Sequence, residues 1–273
     1  MKKRSSIQFL ILFYLASPRI DAAETVIQEG PVKIASSEDR TIFPESWRSG
    51  RINAKAKLLK DREVDRSKGI LNYAMKKYPK HVLAANIDSI YVLHSLEYSG
   101  IGASGTNSRD RIYIANRGSR EGFTDCWLEG TFHEEFSSIL LRNFPQYLNK
   151  DTWEAINDVA FKYGSSGVQA VRQGKARTRF DATLHPKGFL YEYAKSTLEN
   201  DFNTIAEQSF LGDSRFWSVV SKYQRIRKKT DLVVEFYHKI DPSFNRSFFE
   251  SLGNTCNAEK GAAEDAGKPR RRT

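Results

Sequence analysis

The sequence predicts an α+β fold, a mostly helical domain with a small β-sheet beside the helix that carries the candidate site. Three observations lead there. Residues 54–78, 127–141 and 188–210 repeat their apolar side chains at helical spacing. Residues 87–96 and 111–115 are instead rich in β-branched and aromatic residues, the composition of strands. Between those strands runs GIGASGTN, a glycine-rich turn at residues 100–107, and the 127–141 helix follows directly.

The two ends of the chain are read apart from the fold. Residues 1–23 combine a basic start, an apolar run over residues 7–16 and small residues at Ala22 and Ala23, which is the pattern of a secretory signal peptide. The run is shorter than the about 20 apolar residues of a stable membrane span, so the expected address is periplasmic or extracellular. Residues 258–273, AEKGAAEDAGKPRRRT, offer nothing to bury and are read as a disordered basic tail. The formal net charge is +10, and removing residues 1–23 takes away four basic residues and one acidic, leaving +7. No aromatic-basic motif of a nucleic-acid module accompanies that charge, so a solvated basic surface is expected rather than a nucleic-acid partner. Cys126 and Cys256 are the only cysteines, too few for a thiolate metal site, and in an oxidising compartment they can either pair or stay apart.

Within the single domain expected over residues 24–257, residues 24–49 look irregular or edge-like, with alternation over 26–34 sufficient for one strand. Residues 54–78 set Leu58, Leu59, Ile70, Leu71, Tyr73 and Ala74 against a heavily charged face, and Pro79 ends that helix. A helical turn at 81–86 precedes the two strands, which pair as a hairpin or lie as neighbours. The glycines between them fit neither phosphate-cradle pattern, so a plain turn is predicted. Residues 152–163 form a further helix capped by Asp151 or Thr152, with Trp153, Ile156, Val159 and Ala160 buried. Residues 164–188 make a long polar loop of the kind that serves as a lid. Short helices are expected at 214–220, 230–239 and 243–252, with Gly253 as the stop.

The candidate chemistry sits on residues 127–141, WLEGTFHEEFSSILL. Phe132, Phe136, Ile139 and Leu140 recur as one buried face, and Asn143 and Pro145 end the helix. His133 and Glu134 open an H-E-x-x-H pattern, in which the histidines bind zinc and the glutamate takes a proton from the metal-bound water. Ser137 occupies the fifth position, so the motif is half filled. A second stretch, GFLYEYAKSTLENDFNTIAE at residues 188–207, carries Tyr193, Glu199-Asn200-Asp201-Phe202 and Ala206-Glu207.

With both stretches present, the chain resembles gluzincin-type zinc metallopeptidases, including secreted bacterial ones of the lethal-factor-like group. These carry G-F, then Y-A, then E-D-F-A-E on a helix after the H-E-x-x-H helix. The resemblance spans residues 70–210 and implies a zincin-like domain, a zinc ion and a peptide or protein substrate. Carried over by position, it implies His133 as a metal ligand, Glu134 as general base and Tyr193 as oxyanion donor. Asn200 stands where a ligand glutamate is expected and Thr204 where its supporting glutamate is expected. Glu199 and Asp201 flank Asn200 and point about 100° to either side of it on a helix, so at most one of them faces His133. His185 is the nearest further imidazole. Two functions are therefore expected as alternatives, a zinc-dependent peptide hydrolase or a catalytically inactive extracytoplasmic binding protein on the same fold.

Overall fold

The computed structural model describes residues 24–252 except residues 165, 176 and 177. The signal-like residues 1–23, Gly253, Cys256 and the tail at 258–273 lie outside the described residues. Cys126 is disulfide-bonded.

The domain is α+β, mostly helical, with one mixed sheet. Its spine is β4 (Ser89–Tyr98), a ten-residue strand flanked differently along its two halves. The first half pairs in parallel with β2 (Lys33–Ser36) and with β7 (Arg111–Ala115). The second half pairs antiparallel with β3 (Lys55–Leu58) and β5 (Ile101–Ala103). Beyond these, β1 (Thr25–Gln28) closes one edge and β6 (Gly105–Asn107) the other.

Strand alternation divides the sheet's neighbours into two cores. Ile34, Ile90, Val92, Ile112 and Ile114 point to the helices. Tyr91, Leu93, Tyr113 and Ala115 point to a smaller layer with Ile42, Phe43 and Ala54. The helical layer comprises α1 (Val64–Met75), α2 (Lys80–Asn86), α3 (Asp125–Asn143), α4 (Lys150–Ala155), α5 (Gly167–Arg172), α6 (Leu198–Leu211), α7 (Ser214–Lys222), α8 (Gln224–Ile240) and α9 (Arg246–Ser251). No helix among the described residues is long and apolar enough to cross a membrane.

Several local expectations change. Residues 26–34 give two strands rather than one. The start of the 54–78 segment is strand β3, because KAKL can pair with the far half of β4 and that ladder outweighs its helical period. The 100–107 turn is two short strands, β5 and β6, that carry the chain from β4 to β7. The 152–163 helix ends at Ala155, is capped by Asn149, and leaves Val159 exposed. The long 164–188 loop contains α5, whose Arg172 donates to the Ser99 carbonyl at 2.8 Å.

Phe210 holds the helical core together. It is fully buried, stacks on Tyr78 at 4.3 Å and on His133 at 5.0 Å, and meets Phe249 edge-on at 5.0 Å. Truncation by Phe210→Ala is expected to cost about 3–5 kcal/mol. Urea unfolding measures this, and a loss below about 1 kcal/mol contradicts the packing described.

Candidate functional site

Two capped helices position the site. The Thr124 side chain accepts the Trp127 N–H to start α3, and α3 stops at Phe144, the residue before Pro145. The Thr197 side chain accepts the Asn200 N–H to start α6, which ends at Gly212. Leu128, Phe132, Phe136, Ile139 and Leu140 of α3 share one core with Phe202, Ile205, Ala206 and Phe210 of α6.

On another side of α3 lies a cavity of about 460 Å³, bounded by α6 and the β5–β6 arm. That volume is within the range of small-ligand and side-chain sites. Glu134, Glu135 and Ser138 line it from α3, and Glu199, Asn200 and Asn203 from α6. Tyr193, on the turn before α6, and all three residues of β6 complete the wall. Strand and helix approach closely here, since a Cβ on Gly105 would lie 2.5 Å from Glu135 Oε1 and 2.6 Å from Thr131 Cγ2. A side chain at 105 would force Glu135 and Thr131 to move, so glycine lets β6 lie close against α3.

The structure brings Glu134, Tyr193 and Glu199 to this cavity and places His133 and Asp201 elsewhere. His133 is fully buried in the aromatic core. Tyr78 Oη lies 2.9 Å from its Nδ1 and Glu129 Oε1 3.5 Å from its Nε2; a neutral ring with its proton on Nε2 faces that proton to the carboxylate and lets Nδ1 accept from Tyr78. Glu129 in turn accepts from Lys77 Nζ at 2.5 Å, and Lys77 also donates to the Phe210 carbonyl at 2.7 Å. Burial pushes the His133 imidazole down to about 4 despite the opposing pull of Glu129, so the ring is neutral.

Asp201 is on the opposite side of α6 from the cavity. Its Oδ2 accepts from Lys229 Nζ at 2.6 Å, Tyr163 Oη at 2.6 Å and Trp153 Nε1 at 3.1 Å. Of the two carboxylates flanking Asn200, Glu199 is thus the one at the cavity. The further imidazole, His185, packs against Phe180 and Tyr223 and does not line it.

The cavity's carboxyls crowd one another. Burial raises Glu134 well above the ordinary range, and the charges of Glu207, Glu135 and Glu199 add to the rise. Burial also lifts Glu135 to about 7, where the Glu199 charge raises it further while the Asn107 hydrogen bond and Arg142 oppose. Asn107 Nδ2 donates to Glu135 Oε2 at 2.7 Å. Glu207, behind Glu134, is also pushed to about 7 by burial although Tyr191 Oη donates to it at 2.5 Å. The Tyr193 hydroxyl is held above its ordinary value by burial and by the Glu134 and Glu135 charges, so it stays a protonated donor.

A zinc ion does not fit this donor set. Catalytic zinc takes three protein ligands rich in imidazole. Among the described residues no group of three or more His, Cys, Asp or Glu is placed to hold a metal ion. The cleft face of α3 carries the first, second and fifth positions of an H-E-x-x-H spacing, but they are Glu134, Glu135 and Ser138. That face lies one residue beyond the His133, Glu134 and Ser137 set read from the sequence. Protein-family models, curated proteins and solved structures give no match to this chain.

Sequence reading noted Glu135 beside His133 and Glu134 without giving it a role, and it missed Ser138, Asn203 and the β6 residue Asn107. The signal for the α3 pair was the apolar stripe itself. At about 100° per residue, His133 falls only about 60° from Phe136 whereas Glu134 falls about 160° away, on the side opposite the core.

Two opposing pH effects on stability follow. Glu135 and Glu207 have an ordinary value of 4.5 and keep their protons to about 7 when folded, so they favour the folded state at low pH and lose that stability as pH rises from about 4.5 to 7. His133 has an ordinary value of 6.5 and one of about 4 when folded, so its contribution is present above about 6.5 and lost as pH falls toward 4. Glu135→Gln is expected to raise the melting temperature at pH 8 by several degrees and to change it little at pH 4.5. Calorimetry at both values checks this, and an equal change at both contradicts the crowding described.

Proposed function

We propose that this chain is an extracytoplasmic peptide-binding protein on a metallopeptidase-like scaffold, with a cleft that receives an extended polypeptide segment and no zinc centre. The observation that carries the reading is the cleft face of α3, where Glu134, Glu135 and Ser138 hold the three positions at which an H-E-x-x-H helix presents its metal and base. The export pattern of residues 1–23 supports the address.

The shape of the site supports the ligand. Among the described residues β6 pairs with β7 alone, making it an edge strand, and Gly105, Thr106 and Asn107 all line the cavity. An extended peptide can add to such an edge by main-chain hydrogen bonds while its side chains enter the adjoining pocket. Opposite β6, the short helix α5 contributes Gly167, Val168 and Val171 to the wall. The hydrolytic alternative assigns Glu134 as base and Tyr193 as oxyanion donor. Both residues are at the cleft, but the metal-bound water they would act on has no ligand set among the described residues.

A cleft-filling substitution tests the reading. A Cβ on Gly167 would lie 2.5 Å from Tyr193 Oη and 3.1 Å from Asn200 Nδ2, so Gly167→Leu places a side chain inside the cavity. NMR titration of the chain with a randomised, end-blocked hexapeptide mixture is expected to shift the amides of residues 105–107, 134–138 and 199–203. Gly167→Leu should weaken those shifts about tenfold or more in peptide concentration, about 1.4 kcal/mol. Shifts confined to another face, or unaltered in the variant, count against the cleft.

A further inference from the structure

We propose that the peptide cleft contains a subsite for a positively charged hydrogen-bond donor, an alkylammonium or guanidinium group, held by Glu134, Glu199 and Asn203. The inference rests on the peptide-binding reading and specifies which ligand chemistry the cleft selects.

Asn203 supplies the observation independent of the carboxylates. It is only 1 % exposed and lines the cavity, and its Nδ2 donates to Ser138 Oγ at 2.6 Å. Its Oδ1 has no hydrogen-bond partner among the described residues. A buried acceptor left bare is destabilising, and a donor from a ligand removes that cost. The bare atom is an acceptor, so the complementary ligand atom carries a proton.

Glu134 and Glu199 line the same cavity, and neither has an ion-pair partner among the described residues. No lysine or arginine lines it among those residues. A cation entering there favours the ionised form of Glu134, whose carboxyl burial and crowding otherwise hold protonated, and hydrogen bonds to ionised acceptors are about twice as strong as neutral ones. Among the described residues, charged groups facing the cluster from elsewhere do not supply that cation. Arg142 is engaged with the Ser108 carbonyl and with Asn107 at the far end of α3. Tyr191 is committed to Glu207, and Tyr193 is neutral.

The carboxylates do not converge on a point as a bare divalent ion requires. A group with several donors can instead bridge separated acceptors, three for an ammonium and five for a guanidinium. Val168, Val171 and Tyr98 offer apolar surface on the same cavity for an alkyl stem. The chain's net charge is +10, so long-range attraction does not bring a cation to this cleft, and selection rests on short-range contacts.

Binding of the full chain to five randomised hexapeptide pools tests the subsite. Four pools are blocked at both ends and differ at one fixed position, carrying lysine, arginine, norleucine or Nε-acetyl-lysine. The fifth carries norleucine and a free N-terminal amine. By titration calorimetry, at least one pool bearing a cation is expected to bind about tenfold or more tighter than the blocked norleucine and acetyl-lysine pools. Lysine or arginine leading identifies a side chain as the source, and the fifth pool leading identifies the chain terminus. The preference should fall in Glu199→Gln, an exposed position that leaves the core intact, and in Asn203→Leu. Acetyl-lysine binding as tightly as lysine, with no gain from a free terminus, overturns the subsite while the peptide cleft stands. No binding by any pool overturns both.

Discussion

The buried ion pair between Lys77 and Glu129 lies on the same side of α3 as its apolar stripe, and the two together match one rotation of the helix, from which the make-up of the candidate cavity follows. Glu129 is fully buried, on the same side of α3 as the apolar stripe. A carboxylate there is tolerable only with a cation, and Lys77 supplies it at 2.5 Å. Burial by itself would raise Glu129, but His133 and Lys77 outweigh it and hold the group ionised. Since His133 is itself neutral, Lys77 is the cation that matters. Removing either partner takes away a close compensating charge for the other in the core, so a helix setting that keeps the two together is favoured.

That setting turns His133 inward. Its two ring nitrogens face Tyr78 and Glu129, and its face stacks on Phe210, so the imidazole belongs to the core rather than to solvent. The same rotation turns Glu134, Glu135 and Ser138 outward to the cavity. A second buried pair, Lys229 with Asp201, does the equivalent for α6, drawing Asp201 into the core and leaving Glu199, Asn200 and Asn203 at the cleft. Two buried lysines thus fix which of the chain's acidic residues are structural and which are available to a ligand.

Much of the architecture was legible in the sequence. Apolar periodicity located α3 and the second half of the 188–210 segment as α6, whereas residues 188–197 are turns that place Tyr193 before the helix; β-branched composition located β4 and β7. The start of residues 54–78 was not legible, since KAKL becomes a strand only through its ladder to β4, a contact 40 residues away in the chain. The site was legible to within one residue. Glu134, Tyr193 and Glu199 reach the cavity, whereas His133 drew attention by its pairing with Glu134 although its angle to Phe136 already placed it beside the core. Asn203 carried no sequence signal, because its meaning depends on an unpartnered oxygen that only the packing of α6 on α3 creates.

Metal content of the purified chain, residues 24–273, after reconstitution with excess zinc and desalting tests the central claim most directly. With His133 in the core and no ligand set at the cleft among the described residues, zinc should stay far below one equivalent, and His133→Ala should lower stability without changing that content. Near-stoichiometric zinc that disappears in His133→Ala would contradict the account, because it would require His133 to leave the core and face the cleft.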